Sequence, residues 1–235
     1  MKLQGDVFRQ IEARCTQRII INNESYFIKQ HFGVGWREII KNLFCLRYPI
    51  LSASNEKQAL QRLQEANIPV PKMAGYGCRG INPAKRQSFL ITHELPQHSS
   101  LEDYCRNWKT SPPLFKEKKS IINKVANIAR IMHQQGINHR DFYICHFLLD
   151  KKVQKLYLID LHRAQIRKSV PKRWKIKDLA GLYFSSKDIG LTRRDLLRFI
   201  KYYRQQPLRV ILTKESVFWQ KVRRCGEKLY QKIIL

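Results

Sequence analysis

Acidic residues are scarce in this chain. Its 235 residues include 18 Asp and Glu against 45 Lys and Arg, a net charge of +27. Self-repulsion on that scale points to an acidic partner: nucleic acid, anionic lipid, or a phosphorylated or carboxylated glycan. Charge alone does not choose among these. No apolar run approaches the roughly 18 residues needed to span a bilayer. The start, Met1-Lys2-Leu3-Gln4-Gly5-Asp6, lacks the apolar core of a signal peptide. Cysteine is sparse and scattered, at positions 15, 45, 78, 105, 145 and 225, with no C-x-x-C pair. That pattern reads as reduced thiols in a cytoplasmic protein rather than a disulfide framework. Internal repeats and low-complexity segments are absent too. At 43% apolar residues the chain can build a real core, enough for one generous domain or two small lobes. The protein is therefore expected to be soluble or attached to a cytoplasmic membrane surface.

Residues 7–30 read as three short strands. Arg18-Ile19-Ile20-Ile21 and Tyr26-Phe27-Ile28-Lys29 flank the turn Asn22-Asn23-Glu24-Ser25. Residues 54–66 read as a helix capped by Ser54, with Glu56 in its first turn and Ala59, Leu60 and Leu63 on one face. Ile68-Pro69-Val70-Pro71 ends it. Ser88 to Thr92 reads as a buried strand, and Glu94-Leu95-Pro96 as a linker. The expected division is thus 1–95 and 96–235. Residues 120–135 carry an amphipathic helical pattern stopped by Gly136. Two short strands follow, Phe147-Leu148-Leu149 and Leu156-Tyr157-Leu158-Ile159. Helices are expected over 178–185, 192–204 and 214–234. Strands early and helices late predict a two-lobed α+β architecture.

The chemistry concentrates after the Gly136 stop, in Ile137-Asn138-His139-Arg140-Asp141, and at the end of an apolar run, in Leu158-Ile159-Asp160-Leu161. One Asp in a loop behind a helix and a second closing a strand suit phosphoryl transfer. The first accepts the proton of an attacking hydroxyl, and the second holds Mg²⁺ on ATP. Without that context Asp141 would read as a loop-capping residue. His133, His139, Cys145 and His146 match no common zinc spacing.

The string Ile137 to Phe147, together with Ile159-Asp160-Leu161-His162-Arg163-Ala164 and Gly181-Leu182-Tyr183-Phe184-Ser185-Ser186, resembles the bacterial lipopolysaccharide inner-core heptose kinases. The similarity runs from about Leu3 to the C-terminal helices. It implies a protein-kinase-like fold, with a strand-rich N-lobe that binds ATP and a mainly helical C-lobe that carries the catalytic loop. The implied reaction is ATP-dependent phosphorylation of the first heptose of the core, at the cytoplasmic face of the inner membrane. Asp141 is then the base and Asp160 the Mg²⁺ ligand. Lys29 contacts the α- and β-phosphates and Glu56 is its partner, with Glu94 and His146 as further cofactor-binding positions. An exposed strand lysine, and a Glu complementing a helix N-terminus, are the plainer readings of Lys29 and Glu56. Arg140 is expected to brace the loop, His139 to be packed in it, and Asp178 to anchor it from a later helix.

The chain departs from protein kinases in three places. His146 stands where Asn would hold a second metal; imidazole is a poor Mg²⁺ ligand, so His146 is expected to contact phosphate or brace the loop, with metal binding resting mainly on Asp160. Leu161-His162 follows Asp160 in place of Phe-Gly. No Gly-rich loop lies between the first strands, where Arg14, Cys15, Thr16 and Gln17 are expected to form a turn, with Arg14 or Thr16 touching phosphate.

From His162 to Lys177 the chain has seven basic residues and no acid. Arg163, Arg167, Lys168, Arg173 and Trp174 are the candidate acceptor-binding residues, since the inner core implied by the resemblance is rich in carboxylates and phosphates. A solvated basic run is the alternative. The expected partners are the inner-core glycolipid and an anionic membrane surface. Two other functions remain open on the sequence: a kinase-like enzyme with another acceptor, and a non-catalytic polyanion- or nucleic-acid-binding protein. The second is disfavoured because no stacking-aromatic RNA module is present.

Overall fold

The structure, a computed structural model, describes residues 5–11, 13–44, 50–95 and 97–234. The chain forms two compact units that interleave in sequence. The first comprises Met1–Gln61, Pro71–Pro96 and Leu161–Arg163, and the second Arg62–Val70, Gln97–Asp160 and Ala164–Leu235.

The first unit is built on a five-stranded antiparallel sheet. Its strands are β1 (Asp6–Ile11), β2 (Arg14–Ile21), β3 (Glu24–His31), β4 (Met73–Arg79) and β5 (Gln87–His93), in the order β1-β2-β3-β5-β4. The three expected N-terminal strands are present. Asn22 and Asn23 make the two-residue hairpin turn, both at positive φ (50° and 63°), which Asn tolerates and a right-twisted hairpin requires. Arg14 to Gln17 lie inside β2 and not in a turn, because Arg14 already pairs with His31 across the ladder. Buried Ser88 and Leu90 alternate with exposed Phe89, so β5 is half-buried where a fully buried strand was expected.

The helix α1 (Gly35–Phe44) and the strand β4 were not anticipated. Two glycines and few β-branched residues hide β4 from propensity, and only pairing with β5 makes it a strand. Helix α2 (Ser54–Glu65) has the expected extent, with Ala59, Leu60 and Leu63 buried. Its start is organised by Ser52 rather than Ser54: the Ser52 hydroxyl accepts the Ser54 amide (3.3 Å), while Ser88 Oγ accepts the Ala53 amide (2.9 Å).

The second unit is mainly helical. After β6 (His98–Ser100) and the single turn α3 (Leu101–Tyr104), helix α4 (Phe115–Gln134) supplies the central apolar stripe. That stripe includes Ile121, Ile122, Val125, Ile128, Ala129 and Met132. The helix begins five residues earlier than the hydrophobic pattern suggests, since its first turn is solvated. Gly136 stops it at φ +75°, and a Cβ there would collide with the Arg167 carbonyl oxygen. Then come β7 (Ile137–Asn138), β8 (Phe147–Asp150), β9 (Lys155–Leu158) and β10 (Gln165–Ile166). They form a β6-β8-β9 sheet and a β7-β10 pair.

The unit closes with α5 (Lys172–Ser185), α6 (Arg193–Arg204), α7 (Leu208–Lys214) and α8 (Ser216–Ile234). Helix α5 takes in half of the basic run, and Pro171 rather than Asp178 marks its start. Thr192 and Asp195 form a capping box for α6. Among the described residues no helix is long and apolar enough to cross a membrane.

Candidate active site

In the second unit the segment after Gly136 is held from below by one carboxylate. Asp178, 1% exposed on α5, accepts the backbone N–H of His139 (Oδ2, 2.8 Å) and of Arg140 (Oδ1, 2.9 Å). His133 Nε2 lies 3.2 Å from Asp178 Oδ2, and the other His133 ring nitrogen lies 2.7 Å from the Tyr203 hydroxyl. Burial pushes the Tyr203 phenol up. The His139 ring is fully buried, and its Nε2–H donates to the Ile159 carbonyl (3.0 Å). Burial, the largest influence, also lowers the His139 pKa and keeps the ring neutral.

Two non-glycine residues here carry positive φ, Arg140 at 75° and Asp160 at 61°. Such backbone persists only where the surroundings over-determine it, and it clusters at functional sites. The grip of Asp178 on consecutive amides supplies that determination for Arg140.

His146 joins the two acidic residues of the expected site. Its Nδ1–H donates to the Asp141 carbonyl (2.6 Å), and its Nε2 stands 3.5 Å from Asp160 Oδ2. The ring stacks on His139, with centroids 5.6 Å apart and planes at 14°. The Ile159 amide donates to the His146 carbonyl (3.0 Å), tying the end of β9 to the same residue. The imidazole is thus a brace between the Asp141 loop and Asp160.

Among the described residues no three His, Cys, Asp or Glu side chains converge as a metal cage. Nucleotide-bound Mg²⁺ needs only one or two carboxylates, with phosphate and water completing its shell. Asp160, whose side chain is 27% exposed, fits that requirement.

In the first unit Lys29 Nζ donates to Glu56 Oε1 at 2.6 Å, from β3 to the first turn of α2. Thr16 pairs with Lys29 across the β2–β3 ladder and therefore shares its face. Glu94 is held by Arg18 (2.8 Å), and its backbone N–H donates to the Ser25 carbonyl. Arg163 falls in a 3₁₀ turn, Leu161–Arg163, counted with the first unit.

The other candidate acceptor residues lie in the second unit. Arg167, Arg173 and Trp174 come together, with the two guanidinium carbons 5.5 and 5.3 Å from the indole centroid. Lys168 is exposed. Arg140 and Lys177 join that cluster, which sequence spacing did not single out. Helical periodicity on α5 could have found Lys177, but Arg140 arrives by tertiary contact.

The second unit also holds an apolar pocket of about 620 Å³, open on one side and lined by residues from α3 to α8 such as Leu101, Trp108, Ile121, Phe199 and Val222. No sequence signal marks it, since its walls come from elements far apart in the chain.

An ion-paired strand lysine in the first unit, and a loop Asp behind a helix stop with a braced strand-end Asp in the second, are the residue types that a kinase-type phosphotransferase uses. The chain belongs to the lipopolysaccharide kinase (Kdo/WaaP) family, which it matches over residues 1–203. It is 50% identical to the lipopolysaccharide core heptose(I) kinase WaaP of Escherichia coli K12, covering 92% of this chain and 83% of that protein. It is 47% identical to the heptose(I) kinase WaaP of Pseudomonas aeruginosa, covering 98% of this chain and 88% of that one. A solved structure of WaaP in complex with acyl carrier protein superposes with a TM-score of 0.83 at 42% identity, covering 97% of this chain and 90% of that one. The expected α+β class, strand-rich first and mainly helical later, agrees with that likeness.

Proposed function

We propose that this protein transfers the γ-phosphoryl group of ATP to a hydroxyl of the first heptose of the lipopolysaccharide core. The observation that carries this reading is 47–50% identity, over nearly the whole chain, to enzymes named for that reaction. The chemistry of the residues is consistent with it. Asp141 takes the proton of the attacking hydroxyl as the new P–O bond forms and the bond to ADP breaks. Asp160 holds Mg²⁺, which when bound neutralises charge on the phosphates. Lys29, oriented by Glu56, contacts the α- and β-phosphates as a point charge. Thr16 and Glu94 lie on the same unit for further nucleotide contacts. His146 keeps Asp141 and Asp160 in fixed relation. The net charge of +27 suits an anionic glycolipid at the cytoplasmic face of the inner membrane, where the protein would bind peripherally.

A partner protein follows from a separate observation. The WaaP structure that resembles this chain was solved with acyl carrier protein. This chain has a half-open apolar pocket in its second unit and a strong positive charge. We propose that an acyl carrier protein binds here and that the pocket receives an acyl chain.

Labelled ATP, Mg²⁺ and lipopolysaccharide lacking core phosphate test the reaction, with Asp141→Ala alongside. Label transfer by the wild type alone supports the reading. ATP binding without transfer to this acceptor overturns the heptose assignment, and absence of ATP binding overturns the kinase assignment.

A further inference from the structure

Four cationic side chains surround one indole beside the catalytic loop. Lys177 Nζ lies 4.6 Å from the Trp174 ring centroid, and the guanidinium carbons of Arg173, Arg167 and Arg140 lie at 5.3, 5.5 and 6.0 Å. One cation on an indole is an ordinary packing contact. Four repel one another, and neither Arg167, Arg173 nor Lys177 forms an ion pair among the described residues. The start of α5 aggravates this. Its first turn has no acidic residue and carries Lys172, Arg173 and Lys175, next to the positive end of the helix dipole.

The cluster is also rigidly tied to the residues that precede the base. The Arg167 guanidinium donates to the side chains of Asn138 and Gln165 (2.6 Å to the latter), and its backbone N–H donates to the Gly136 carbonyl (2.9 Å). Burial, and then the charge of Arg173, lower the pKa of Arg167. Trp174 lies one helical turn before Asp178, which grips the Arg140 amide. An arrangement held this firmly, in which Arg167, Arg173 and Lys177 form no ion pair among the described residues, is built for an anion.

Resting on the kinase reading above, we infer that Arg140, Arg167, Arg173 and Lys177, arrayed around Trp174, form a subsite for a carboxylate carried by the acceptor glycan next to the reacting hydroxyl. Paired guanidinium groups recognise such anions bidentately, and a rigid base lets them fix the register of the sugar against Asp141.

The test uses the full chain and two probes: inner-core oligosaccharide released from its lipid, and the same material with its carboxyls reduced to alcohols. Binding is measured by calorimetry, independently of turnover. Arg173→Gln/Lys177→Gln, on solvent-facing positions of α5, is compared with wild type after a melting check of folding. The expected result is at least tenfold weaker binding of the native oligosaccharide by the double variant. The KM for the acceptor should rise in step while the KM for ATP stays within twofold. Carboxyl reduction should weaken binding to wild type by a similar factor and have little further effect on the variant.

Equal affinity of wild type and variant for the native probe overturns the subsite. So does equal loss for both probes, or a rise in the KM for ATP. Vesicles of phosphatidylglycerol and phosphatidylcholine form a third arm, and a loss confined to them would assign the cluster to the membrane surface instead. If wild type phosphorylates no heptose acceptor, the proposed reaction fails, and calorimetry still decides the subsite.

Discussion

Asp178 Oδ1 accepts the backbone N–H of Arg140 at 2.9 Å and holds that residue at φ +75°, immediately before the proposed base. The other carboxylate oxygen accepts the His139 amide, so one buried side chain sets the path of the loop. Asp178→Ala leaves two buried or half-buried amides without an acceptor, at about 1–3 kcal/mol each. The expected outcome is a lowered melting temperature together with loss of phosphotransfer. Asp178→Asn, which retains one acceptor oxygen, should fall between the two. An unchanged melting temperature in Asp178→Ala would refute the anchoring role.

The Lys29–Glu56 pair predicts coupled effects. Lys29→Met should lower kcat/KM for ATP by about 10²-fold or more, the scale seen when one electrostatic contact to a transition state is lost. Glu56→Gln removes the charge that orients the lysine and should produce part of the same loss. In a double-mutant cycle the two changes should be strongly non-additive. Additive effects would show that the ion pair does not act through the lysine.

His31 predicts a pH-dependent stability. Burial, assisted by the charges of Arg14, His162 and Lys29, lowers its pKa from 6.5 to about 4. Between those values the unfolded chain binds more protons at this site than the folded one. Unfolding free energy therefore rises with pH across that window, by up to about 1.4 kcal/mol per pH unit, and is level above it. Urea unfolding between pH 4 and 7 should show this slope in the wild type and a shallower one in His31→Gln. Equal slopes would mean that His31 does not titrate differently on folding.

Gly226 predicts a packing failure remote from the chemistry. A Cβ at this position of α8 would lie 2.5 Å from the Tyr183 ring and 3.0 Å from the Ala180 carbonyl oxygen of α5. The Tyr183 hydroxyl is itself held by Glu227 (2.6 Å), so the ring has little room to yield. Gly226→Ala should destabilise the second unit by about 1–3 kcal/mol, as overpacked cores do. Calorimetric melting would reveal it, and an unchanged melting temperature would show that the two helices separate freely.

The legible parts of the fold were those with short-range causes. The β2–β3 hairpin follows from two Asn at a turn that needs positive φ, and α4 from a sustained apolar stripe ended by Gly136. What escaped was set by partners distant in sequence. Strand β4 exists because β5 pairs with it, and α7 falls almost wholly in the stretch between the expected helices 192–204 and 214–234, where no element is expected. The true extent of α5 was hidden because seven basic residues read as a solvated run. In the site, Asp141 and Asp160 could be named from their spacing, since a helix stop and a strand end are local signals. His146 stood out as an unusual residue type with two candidate roles, phosphate contact or loop brace, and its reach to both Asp141 and Asp160 is the arrangement of a brace.

By itself, then, the sequence determined the chemical inventory: a basic chain with two acidic residues at structurally marked positions and a lysine on an early strand. Only the tertiary structure decided that His146 spans Asp141 and Asp160 and that Arg140 joins Arg167, Arg173 and Lys177 around Trp174. The reason is physical. Residue type and neighbours in sequence govern turns, caps and periodicity, whereas contacts between distant segments depend on how whole helices and strands pack, and no local pattern encodes that.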